Sequence, residues 1–218
     1  MFPLKDTQPS YTRPVVTIAI IVANLLIFLF EFSLGAGTRA ELIEYYGLVP
    51  DHLRLSSILT SMFLHGGWMH VLGNMWFLWI FGDNIEDLLG HTKFLLFYLI
   101  CGIAAAAGQV IASPYSTVPM VGASGAIAGV MGAYLIKFPR SRILAVVFFF
   151  IIEIPAPIML AYWFIFQLFN GLGSIARTHV SEGGVAFFAH VGGFLAGMVL
   201  IKIMGTKDRY YPRRDYNY

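Results

Sequence analysis

Six apolar runs set the limits on what this chain can become: residues 15–32, 68–81, 94–112, 122–138, 143–172 and 185–204. A backbone crossing lipid must satisfy its own N–H and C=O groups, so runs of this length read as spanning helices. The first, Val15 to Phe32, is interrupted only by Thr17, Asn24 and Glu31. At ~1.5 Å per residue it crosses most of a hydrocarbon core of ~30 Å. Lys5 and Arg13 ahead of it invite a signal-peptide reading. The run exceeds the ~7–15 residues of such a segment and no A-x-A site follows, so it is read as a retained first span.

Charged residues make up 12% of the chain and apolar ones 58%, which excludes an ordinary soluble domain and places the protein in the membrane. The net charge of +2 is small and its basic residues are scattered, so a nucleic-acid partner is not expected and membrane lipid is. Cys101, the only cysteine, excludes an intrachain disulfide and reads as a packing residue inside an apolar run.

Between the runs, residues 33–64 mix Arg39, Glu41, Glu44, Asp51 and Arg54 with tyrosines and leucines, and are expected to lie at the interface. The second span runs from Trp68 to Phe81 and stops at Gly82-Asp83-Asn84; the third covers Phe94 to Ala112. Glu153-Ile154-Pro155-Ala156-Pro157 divides the long run 143–172 into an interfacial piece, 143–152, and a fifth span from Ala156 to Leu172. The sixth runs from Val185 to Met204. Residues 1–14 are then an N-terminal segment, 15–204 the six-span domain, and 205–218 a tail expected to be disordered.

Six spans put both termini on one side. Of the basic residues, eleven fall on that side and only Arg39, Arg54 and Arg177 opposite, which predicts cytoplasmic termini. Spans two, four and six then start at the outer face, and each has unusual polar residues near its start: His70 and Asn74, Ser124, and His190. Polar groups at such depth are costly in lipid and face the bundle interior, so these four are expected to meet.

Their approach has a packing basis. Gly125, Gly129 and Gly132 share one face of the fourth run, and His190, Gly193 and Gly197 share one face of the sixth. Faces nearly bare of side chains let two helices come close. That brings Ser124 within reach of His190, a neutral base able to take its proton. No third carboxylate lies in mid-span to orient the histidine. Asn74, His70 and the backbone N–H of Ser124 are suitable donors for an oxyanion. His65 and His70 are five residues apart, off a shared helical face and without a carboxylate or thiol partner, so neither a metal nor a cofactor is expected. Singly, each polar residue is more often a packing or interhelical hydrogen-bond group than a catalytic one. Their coincidence in one layer favours the catalytic reading.

His65-x4-His70-x3-Asn74, Gly122-x-Ser124-Gly125 and His190-x2-Gly193-x3-Gly197, in this order, resemble the rhomboid family of intramembrane serine proteases over nearly the whole chain. The resemblance implies an all-α, six-transmembrane bundle with an interfacial first loop, in a prokaryotic cell membrane. It implies Ser124 as nucleophile, His190 as general base, and His70, Asn74 and the Ser124 N–H as the oxyanion hole. Transmembrane protein substrates would be cut near their outer ends, without a metal. Glu86 resembles a family glutamate of structural role. Two departures stand out: Ser56-Ser57 replaces a Trp-Arg pair of some bacterial members, and Ala128 stands where some members have a tyrosine that stacks on the histidine, so that either another ring, from span five or six, orients His190 or none does. A non-catalytic relative that binds transmembrane helices is the alternative. A solute transporter is disfavoured because the halves show no inverted repeat.

Overall fold

The structure, a computed structural model, describes residues 1–176 and 186–206. The predicted loop with Arg177, His179 and Glu182, the expected start of the sixth span at Val185, and the tail from 207 lie outside the described residues. Helices α1 (Val15–Ser33), α2 (Ala36–Tyr46), α3 (Ser57–Thr60), α4 (Trp68–Leu89), α5 (His91–Ala112), α6 (Ser124–Lys137), α7 (Ala156–Ala176) and α8 (Phe187–Ile203) account for most of it. Among the described residues three stretches, Val15–Ser33, His91–Ala112 and Ala156–Gly173, are long and apolar enough to cross a membrane; α6 and α8 are shorter apolar helices. Mostly helical and strongly apolar, the chain is a membrane protein.

At the centre stands α6, with every residue from Gly125 to Tyr134 buried. Its glycines determine what packs on it. A Cβ at Gly193 would collide with the Gly125 carbonyl, one at Gly197 with the Gly129 carbonyl, and one at Gly132 with the Phe194 carbonyl. Helices α6 and α8 therefore touch backbone to backbone. On α5, the fully buried Cys101 fills the space beside Gly129, and Ala105 sits against Gly125. By contrast α7 meets α8 through side chains, with Trp163 and Phe164 against Phe194.

An all-α architecture does not hold. Strands β1 (Phe2–Asp6), β2 (Arg142–Val147) and β3 (Phe150–Pro155) form an antiparallel sheet in that order. The run 143–152 is thus most of a hairpin, with Val147 paired to Phe150 across a two-residue loop. Its physical basis is the β-branched and aromatic run, which fits a pleated strand. Ile143 and Ala145 alternate into the core along β2. The third strand comes from the first residues of the chain: β1 pairs with β2 and docks on α4, where Trp76 Nε1 donates to the Pro3 carbonyl at 2.7 Å and its ring stacks on Phe2.

A second correction concerns α4, which continues through Gly82-Asp83-Asn84 to Leu89. Polar groups there have partners: Asn84 Nδ2 donates to Asp6 Oδ2 at 2.9 Å, and Tyr134 Oη of α6 donates to the same oxygen at 2.5 Å. Two residues on, the fully buried Glu86 accepts from the N–H groups of Val16 and Thr17 at 2.8 and 2.7 Å. Those are unpaired donors of the first turn of α1, so Glu86 caps a helix that has no side-chain cap of its own.

The first loop, 34–67, contains α2 and α3, and has Ser56-Ser57 rather than a Trp-Arg pair ahead of α4. Arg54 stacks on Tyr45 and donates to its carbonyl, and Thr60 Oγ1 donates to the Tyr46 carbonyl. The loop also braces the approach to α6: Leu48 and Met120 exchange backbone hydrogen bonds, and the Gly122 N–H donates to the Ser61 carbonyl.

Candidate active site

Ser124 is the first residue of α6, so its N–H has no intrahelical acceptor. The residue two before it, Gly122, has φ +123, which an L side chain rarely adopts. A Cβ there would also stand 2.7 Å from His70 Nε2 and 3.4 Å from Asn74 Nδ2. Bare backbone at this point lets both side chains of α4 approach the start of α6.

The glycine contact between α6 and α8 brings Ser124 Oγ to 2.7 Å from His190 Nε2. The other ring nitrogen of His190, Nδ1, lies 2.9 Å from Gln167 Oε1 on α7, and both residues are buried. A neutral imidazole has one donor and one acceptor nitrogen. The amide oxygen accepts from Nδ1–H, which leaves Nε2 as the acceptor for the serine hydroxyl. Trp163, one turn before Gln167, places its ring 5.6 Å from the His190 ring at 38°. This is a ring of the fifth apolar run lying against His190, where position 128 is alanine.

His70 and Asn74 lie on one face of α4, beside a cavity of ≈ 210 Å³ shared with Ser124, Trp163, Gln167 and His190. Asn74 Nδ2 is 2.9 Å from His65 Nε2. One amide hydrogen is used there and the other is free to donate. Burial, aided by nearby His70, pushes the His65 ring down to about 3, so it is neutral and can accept this bond. The rings of His65 and His70 meet edge to face at 5.1 Å. Among the described residues no group of three His, Cys, Asp or Glu side chains is placed to hold a metal ion.

All four sequence-predicted residues line one cavity. The sequence reading passed over three that hold them. Gln167 is one of two amides in the run 156–172, four residues after Trp163, and that spacing was its only signal. Glu31 on α1 accepts from the His65 N–H at 3.3 Å, and Arg39 on α2 donates to the His65 carbonyl at 3.1 Å. Both stand at the edges of apolar segments, where charge is ordinary.

Residues 52–207 match the Rhomboid domain family. The Rhomboid protease GluP of Bacillus subtilis (strain 168) is 33% identical over 135 residues, 60% of this chain and 25% of that protein. Human Presenilin-associated rhomboid-like protein, mitochondrial, is 32% identical over 206 residues, 89% of this chain and 48% of that protein. Rhomboid protein 1, mitochondrial, of Saccharomyces cerevisiae is 31% identical over 164 residues, 72% of this chain and 44% of that protein. The chain spans about half the length, or less, of these relatives. A family match over most of the sequence, on a largely helical apolar fold, establishes that the chain belongs to the rhomboid family.

Proposed function

We propose that this protein is an intramembrane serine endopeptidase that cuts transmembrane segments of other membrane proteins near their outer ends. The observation that carries the reading is the 2.7 Å contact of Ser124 Oγ with His190 Nε2 at the cavity lined by His70 and Asn74. His190 takes the hydroxyl proton as Ser124 Oγ attacks the scissile carbonyl carbon. Negative charge develops on the carbonyl oxygen, toward the second N–H of Asn74, a ring N–H of His70 and the free N–H of Ser124. His190 then returns the proton to the departing amine, leaving an acyl-serine. Water, activated by the same histidine, hydrolyses it.

In this reading α1, α4, α5, α6, α7 and α8 cross the membrane with both termini in the cytoplasm. At 14 residues α6 is ~21 Å long, shorter than a ~30 Å hydrocarbon core, so Ser124 starts below the outer surface. The Bacillus relative named a rhomboid protease supports hydrolysis as the activity, while the human and yeast relatives are mitochondrial by name and do not fit the prokaryotic setting that the resemblance implied.

Fluorophosphonate labelling in detergent tests the nucleophile. Wild type is expected to label and Ser124→Ala is not; equal labelling of the two sinks the assignment. A wild type that does not label or cleave, yet retains transmembrane helices equally with and without Ser124, identifies the non-catalytic relative instead.

A further inference from the structure

We infer that Gln167 on α7 is the third member of the catalytic chain, a positioning residue that fixes the tautomer and orientation of His190. The inference rests on the serine-hydrolase reading and extends it to a helix that supplies no reacting group. The geometry is continuous: Gln167 Oε1 to His190 Nδ1 at 2.9 Å, then His190 Nε2 to Ser124 Oγ at 2.7 Å. Both His190 and Gln167 are buried, 8% and 6% exposed, so water does not substitute freely for the amide oxygen.

A histidine that accepts from a serine must carry its proton on the opposite nitrogen. In water either tautomer finds partners. In a buried site the partner selects one, and Oε1 of Gln167 selects Nδ1–H. Among the described residues no carboxylate is hydrogen-bonded to His190. A neutral amide does the orienting without adding charge to the membrane interior, where a carboxylate is expensive. Trp163 flanks the ring on the same side, so one turn of α7 controls both the edge and a face of the base.

The arrangement places part of the catalytic chain on a helix that meets α8 through side chains, with Ile158, Tyr162, Phe166 and Phe169 exposed along its outer side. The glycine contacts fix Ser124 and His190 relative to each other. The position of α7 decides whether the base is correctly protonated.

The test compares Gln167→Met, which keeps length and removes the acceptor, with Gln167→Glu, which keeps an acceptor. Both are measured in the full chain for fluorophosphonate labelling rate, kcat and KM. Gln167→Met is expected to lose ~10- to 100-fold in labelling rate and kcat with KM unchanged, less than the ~10⁴-fold known where a charged orienting group is neutralised. Gln167→Glu is expected to remain within about threefold of wild type, since its oxygens still accept from Nδ1–H. Nitrogen-15 spectra of histidine-labelled protein should show His190 protonated at Nδ1 in wild type and as a tautomer mixture in Gln167→Met. A folded Gln167→Met with wild-type labelling and an unchanged His190 spectrum overturns the inference while leaving the dyad intact. Ser124→Ala labelling like wild type overturns the dyad itself.

Discussion

Among single residues, Gly122 shows how little of this site is set by the reacting groups alone. Its φ of +123 and its closeness to His70 Nε2 mean that a methyl group would both strain the backbone and push on a proposed oxyanion donor. A residue held in such a conformation costs ~1–3 kcal/mol. Gly122→Ala should therefore fold with a lowered melting temperature and lose most of the proposed peptidase activity. Ser124 in that variant should still be labelled, slowly, by a small fluorophosphonate. Full peptide cleavage by Gly122→Ala would show that the approach of His70 to this loop is not needed. Four polar residues of the cavity, His70, Asn74, Ser124 and His190, were legible in the sequence because hydroxyl, amide and imidazole groups stand out in apolar runs. Gln167 was not, since one amide in a lipid-crossing helix has the same appearance whether it packs or orients a base.

At the level of elements, the α6–α8 contact does what the spacing of glycines suggested, and does it through carbonyl groups. A Cβ at Gly197 would overlap the Gly129 carbonyl, with no flexible side chain to move aside. Forcing a group into such packing typically costs ~1–3 kcal/mol. Gly197→Ala is expected to lower thermal stability and to slow labelling of Ser124 together, because the same displacement separates the dyad. A variant less stable but labelled at the wild-type rate would show that the dyad geometry is held elsewhere. The hairpin could not be read from sequence by the usual signs. Its loop is Phe148-Phe149 with φ 55 at Phe148, where glycine or asparagine is usual, and both residues are exposed. With no turn signal and an apolar run on either side, it resembled an interfacial segment. Likewise, nothing in Phe2–Asp6 marks it as a strand until β2 offers an edge to pair with.

For the whole molecule, the polar knot at Asp6 ties three elements together, since Asn84 of α4 and Tyr134 of α6 both donate to the β1 carboxylate. Burial, reinforced by the nearby Asp83 charge and opposed by the Tyr134 hydroxyl, pushes the Asp6 carboxyl up to about 7. The folded state thus binds a proton more tightly than the unfolded chain does. This contribution to stability is complete below the ordinary carboxylate value of 3.8 and is lost as pH rises through about 7. Hydrogen exchange of the β1 amides is expected to show docking that weakens between pH 5 and 8 in wild type, beyond the intrinsic exchange trend. Asp6→Asn should flatten the dependence; an unchanged profile would remove Asp6 as its source. The sheet that this knot secures also has a mechanical meaning. It is joined to α4 through β1, by Trp76 and Asn84, and runs directly into α7 where β3 ends at Pro155. Two of the four helices that line the cavity, α4 and α7, are therefore fastened to a common plate. Any movement that parts these two helices is expected to be restrained at the sheet they share.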